Sequence, residues 1–178
     1  MKALLFGLAC ALAAQASFAE HLGFKGIELG SDIARIATDP RFDCHILNTP
    51  ISEKVCNLRP RETETIAGVA AVSLFYFYDH AGLTGIQVTV AEKDFQKVID
   101  ALAGKYGRGT LVTEKVNNLT GTAFENRTWT WKKPEGSLHA ERYAGRLDRS
   151  LIRFTDDSAA QRLQQRRSLL AKDPRKDL

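Results

Sequence analysis

Residues 67–107 read AGVAAVSLFYFYDHAGLTGIQVTVAEKDFQKVIDALAGKYG. The stretch holds a strand, a turn, a second strand and a helix, and the rest of the chain reads as built against it. Ala67–Tyr78 is an uncharged run of small, β-branched and aromatic residues. Its cluster of aromatics at 75–78 and the turn residues that follow favour a strand over a buried helix. Asp79-His80-Ala81-Gly82 supplies residues that tolerate turn dihedrals. Leu83–Val90 then alternates, with Ile86, Val88 and Val90 on one side and Gly85, Gln87 and Thr89 on the other. After Glu92 the period changes. Phe95, Val98, Ile99 and Leu102 fall on one face of a helix over 92–104. Glu92 and Asp94 suit the positive end of its dipole, and Gly104 and Gly107 are candidates to stop it.

Outward from this unit, Ser31 reads as the cap of a first short helix carrying Ile33, Ile36 and Ala37, which Asp39-Pro40 ends. Phe24 and Ile27 in the opening segment are expected to reach the core. Phe42–Leu47 and Ser52–Leu58 read as strands, and Arg59–Thr65 as a charged connector. Beyond Gly107 come four more strands: Thr110–Val116, Thr122–Trp131, Ser137–Tyr143 and Ser150–Thr155. Turn residues separate them at meander spacing. Asp156-Asp157-Ser158 opens a final polar helix. The fold class expected is therefore α+β: an antiparallel sheet with two short helices on one face and a C-terminal polar helix. A helix followed by strands occurs twice, which makes 24–90 and 91–156 the candidate halves of a tandem repeat.

The chain has 178 residues and three cysteines. Met1-Lys2, the apolar stretch Ala3–Ala14 and Ser17-Phe18-Ala19 have the form of a signal peptide cut after Ala19. That gives a leader at 1–19, an α+β domain at 20–156 and a basic helix and tail at 157–178. The protein is expected in the periplasm or outside the cell. Without Lys2 the mature chain has 24 basic and 21 acidic side chains, and the tail from Arg162 carries the surplus. The near-neutral body is unlike a nucleic-acid-binding domain. The tail reads as a solvated helix or as a peripheral contact for an anionic surface. Cys44 and Cys56 remain after export. In an oxidising compartment such a pair reads as one disulfide, and its spacing lacks the close approach of zinc or redox motifs.

Ile27-Glu28-Leu29-Gly30 before the first helix and the Cys44/Cys56 pair just after it resemble the first unit of the β-lactamase inhibitor proteins. The helix-then-strands order also resembles the small outer-membrane assembly lipoproteins. The inhibitors carry another disulfide in their second unit, whereas this chain has no cysteine after Cys56. The resemblance implies the fold and a protein-binding role, and carries no contact residue over.

No nucleophile elbow, phosphate-binding glycine loop or metal-ligand array is present in the sequence. No catalytic residue, metal or cofactor is therefore assigned. His21, His45, His80 and His139 each fit a solvent or structural position, although Asp79-His80 and His139 are the residues an enzyme or ligand carrier would use. Asn118-Leu119-Thr120 and Asn126-Arg127-Thr128 have sequon form, which matters only in a eukaryotic secretory path. Tyr76 and Tyr78 share one strand face, and so do Trp129 and Trp131. With Asp79 and His80 they form the candidate binding surface for another protein. The competing reading puts these aromatics in a core that uses both sheet faces.

Overall fold

The structure, a computed structural model, describes residues 21–49, 52–117 and 120–171. The expected leader at 1–19, Asn118 and Leu119 of the first sequon and the tail beyond Ala171 lie outside the described residues. So do the side chains of Leu163 and Leu170, which with Ala159 form the thin apolar stripe by which the final helix would dock or else project.

One short hairpin precedes the first helix and another opens the long strand at Val69. β1 (Gly23–Phe24) pairs with β2 (Ile27–Glu28), and β5 (Thr65–Ile66) pairs with the start of β6 (Val69–Asp79). Both turn on an X-Gly step in the left-handed region, Lys25-Gly26 and Ala67-Gly68. The glycine adopts that conformation without steric cost. The second hairpin is why the long strand begins at Val69 rather than Ala67.

The helix α1 (Ala34–Ala37) is a single turn. Asp32 rather than Ser31 supports its start, accepting the Ala34 N–H at 2.7 Å. Ser31 donates instead to the Glu28 carbonyl. Then follow β3 (Phe42–Thr49), β4 (Ser52–Leu58), β6 and β7 (Gly82–Ala91). Only His80 and Ala81 separate β6 from β7, because Asp79 and Gly82 already pair. A 3-10 turn at Glu92–Asp94 leads into α2 (Phe95–Tyr106). Gly104 sits inside α2, and Gly107 at φ 83° ends it. The chain closes with β8 (Thr110–Asn117), β9 (Ala123–Lys133), β10 (Gly136–Glu141), β11 (Arg149–Asp156) and α3 (Asp157–Ala171).

The main sheet is antiparallel with strand order β3-β4-β6-β7-β11-β10-β9-β8. A helix followed by a four-stranded meander thus occurs twice. The last strands of the two units meet in the middle, from Gly85 against Thr155 to Ala91 against Arg149. The α+β class and the placement of two short helices on one face agree with the sequence.

One face carries the core. Leu74, Tyr76, Ile86, Val88, Leu138, Ile152 and Phe154 project from the sheet into it. Ile36 of α1, Leu22, Phe24 and Ile27 of the opening hairpin, and Phe95, Val98, Ile99, Leu102 and Tyr106 of α2 cover them. Burial of the first four α2 side chains is worth about 6–12 kcal/mol before chain entropy is subtracted. Polar bonds lock this layer. Tyr106 donates its hydroxyl to the Gly23 carbonyl at 3.1 Å. The Trp131 indole donates to the Gly107 carbonyl at 2.7 Å, and Gly30 and Ser31 bond to Leu83 as a short ladder. Cys44 and Cys56 are directly opposed on β3 and β4 and form a disulfide.

Candidate binding face

Strand alternation assigns each aromatic of the 75–78 cluster to one side. Tyr76 and Tyr78 are each 1% exposed and belong to the core. Among the described residues the Tyr78 hydroxyl has no hydrogen-bond partner, and burial pushes its pKa up to about 12, with the Asp32 carboxylate adding to the rise. Trp131 is buried too, and the half-buried Trp129 stacks on it with centroids 6.4 Å apart. Tyr76, Tyr78 and Trp131 therefore offer no surface patch. Both pairs share a face as the sequence indicated, and that face is the helix-covered one.

The opposite face takes Phe75 and Phe77, stacked with centroids 6.2 Å apart. Gly85 and Gln87 lie across from them on β7, and Val55 pairs with Phe77 from β4. Val55 is only 4% exposed yet stands apart from the main core cluster, so this face has an apolar floor of its own. Half-buried Leu151 extends it on β11. No helix of the two-helix layer lies here.

Toward β10 the face becomes cationic. Arg153 is exposed, directly between Gln87 of β7 and His139 of β10. His139 is half-buried, and Thr130 Oγ1 shares a hydrogen bond with its Nδ1 at 3.1 Å. Burial first, then Lys132 and Arg153, depress its pKa, with Asp157 opposing them, which favours the neutral ring. Asp157 itself accepts from Ser137 at 3.0 Å and from Lys132 at 3.4 Å.

The first turns of α3 fasten to the sheet at this side. Arg162 donates to Asp79 at 2.8 Å and to Asp156 at 3.2 Å, with both carboxylates 14% exposed. Burial alone would raise the Asp156 pKa. The Ser158 hydroxyl and N–H, together with Arg162, outweigh it and hold the carboxyl below its usual range. A groove of about 450 Å³ runs between Ala159 of α3 and Leu47 of β3, floored by Phe77, Gln87 and Arg153. A smaller polar hollow of about 290 Å³ lies at the β6–β7 turn, beside Asp32, Glu53, Tyr78 and His80.

Asp79 and His80 do not act on each other. The Asp79 carboxylate accepts from Arg162 and from the Ala81 N–H, whereas His80 is exposed with its Nδ1 3.9 Å from Glu53. Among the described residues no three His, Cys, Asp or Glu side chains are grouped to hold a metal ion. Among them, too, no helix is long and apolar enough to cross a membrane. The sequence reading missed Val55, Phe75, Phe77 and Arg153. The signal was available: Phe75 and Phe77 take the parity opposite to Leu74 and Tyr76 on the same strand. Comparison with protein-family models, curated proteins and solved structures finds no match.

Proposed function

We propose that this protein is an exported binding module that docks another protein on the sheet face opposite α1 and α2, centred on the half-buried Phe75 and Phe77, with the buried Val55 packing beside Phe77. One observation carries the reading: stacked phenyl rings and a second apolar floor stand on the face that α1 and α2 leave uncovered. Apolar anchors set in a polar surround are the composition of a protein-docking patch. The Cys44–Cys56 bridge supports export, since disulfides persist in oxidising compartments. The periplasm or the medium is then the place of action, and the basic tail is a secondary contact for an anionic surface. The likeness of layout to inhibitor and assembly modules supports recognition as the task.

A photo-crosslinking residue placed at Phe75 or Phe77 in the exported, oxidised protein should give a discrete adduct. The same residue at Gln96, exposed on α2, should give none. Equal labelling from both sites, or no adduct from either phenylalanine site, would remove the proposal.

A further inference from the structure

We infer that the groove between α3 and β3 is a binding site for a small amphipathic carboxylate, an unbranched apolar chain ending in a single anionic head. This goes beyond protein docking, and its test does not depend on that reading.

Three features fix the ligand's chemistry. The first is size. At about 450 Å³ the hollow lies within the range of small-molecule sites. The second is the lining. Leu47, Phe77 and Ala159 give apolar walls and floor, suited to a chain rather than to a sugar or nucleotide. The third is charge. Arg153 enters the groove beside Gln87, its directly opposed partner across β7 and β11. The carboxylates nearby are already engaged. Asp79 and Asp156 hold Arg162, and Asp157 holds Lys132 and Ser137. Among the described residues Arg153 has no carboxylate partner. It is the groove's uncompensated charge, at the boundary between apolar wall and solvent.

A guanidinium binds a carboxylate through two parallel N–H bonds, and the Gln87 carboxamide adds a further donor. One cation matches one negative charge. A phosphate dianion would leave one charge unmatched by Arg153, the one cation lining the groove among the described residues, so the carboxylate is the better fit.

Calorimetry with dodecanoate, below its micelle-forming concentration and at pH 7.5, should show saturable one-to-one binding to the oxidised protein. Arg153→Gln should weaken it about tenfold or more, as loss of a charged hydrogen-bonding partner does. Ala159→Phe, which puts a ring into the groove, should weaken it to a similar degree. Dodecyltrimethylammonium, with the same chain and a cationic head, should bind at least tenfold more weakly than dodecanoate. Both substituted positions lie at the surface or half-buried, and an unchanged urea midpoint will show that the variants fold. Absence of saturable dodecanoate binding, wild-type affinity in Arg153→Gln, or equal affinity for the cationic amphiphile would each overturn the assignment.

Discussion

Reducing the Cys44–Cys56 bridge should lower stability substantially and loosen one strand first. Among the described residues β3 is the outermost strand of the sheet, with β4 as its sole neighbour. Of its described side chains only Phe42 is fully buried, packing edge-on against Tyr76 with centroids 5.6 Å apart, while Ile46 is 68% exposed. So little burial leaves the strand dependent on its covalent tie. The two sulfurs lie 12 residues apart in sequence. Freeing a loop of that size returns about 3 kcal/mol of chain entropy to the unfolded state. With a urea slope of about 1–3 kcal/mol/M, the midpoint should fall by about 1–3 M on adding dithiothreitol. Because reduction keeps both side chains, it isolates the tether. Replacing both cysteines by alanine should cost about 1–2 kcal/mol more, since Cys56 is fully buried beside Tyr76 and its loss leaves space. Hydrogen exchange should place the first loss of protection at residues 42–49 and leave the β7–β11 ladder unchanged. If oxidised and reduced protein unfolded at the same urea concentration with the same slope, the reasoning about the edge strand would be wrong.

Other perturbations probe the core layer and its charges. Tyr106→Phe leaves the buried Gly23 carbonyl without its donor and should cost about 1–3 kcal/mol in urea unfolding; an unchanged midpoint would show that the bond does not hold the opening hairpin. Gly136→Ala would set a Cβ 2.1 Å from the Thr155 carbonyl oxygen, a backbone atom, and should cost about 1–3 kcal/mol or abolish folding. By contrast Gly104→Ala, on the open side of α2 with nothing within 4 Å, should raise stability by about 0.5–1 kcal/mol. Acid should weaken the fold in a defined window. Burial tends to raise the carboxyls of Glu64 and Glu135, yet the Thr65 N–H with Lys25 and the Leu22 N–H with His21 bring them net below the ordinary glutamate value. Asp156 is likewise depressed. Groups bound more tightly as anions in the fold stabilise it above their unfolded pKa values, and that contribution is lost as pH falls through the folded ones. The urea midpoint should therefore drop below about pH 4, and Glu135→Gln should flatten the drop.

What the sequence disclosed followed from periodicity. Phe95, Val98, Ile99 and Leu102 repeat at helical spacing, and all four are buried. Ile86, Val88 and Val90 alternate with polar neighbours, and each is fully buried. The 75–78 cluster was harder, because Phe-Tyr-Phe-Tyr has no polar member to mark the solvent side. Either pair could face the helices on periodicity alone; the tyrosines go inside with their hydroxyls and the half-buried phenylalanines take the other face. The strand opposite held the answer in Gly85 and Gln87, which pair with Phe77 and Phe75. Arg153 was invisible for another reason. Its significance depends on β11 lying against β7, a pairing between distant parts of the chain that no local pattern encodes.

That pairing bears on how the molecule is assembled. The first four-stranded unit is complete at Ala91, but β7 then presents a naked row of amide and carbonyl groups until Arg149–Asp156 arrives. A polypeptide made amino end first must reach Asp156 before the two halves zip shut. During that interval the waiting margin invites any stray strand.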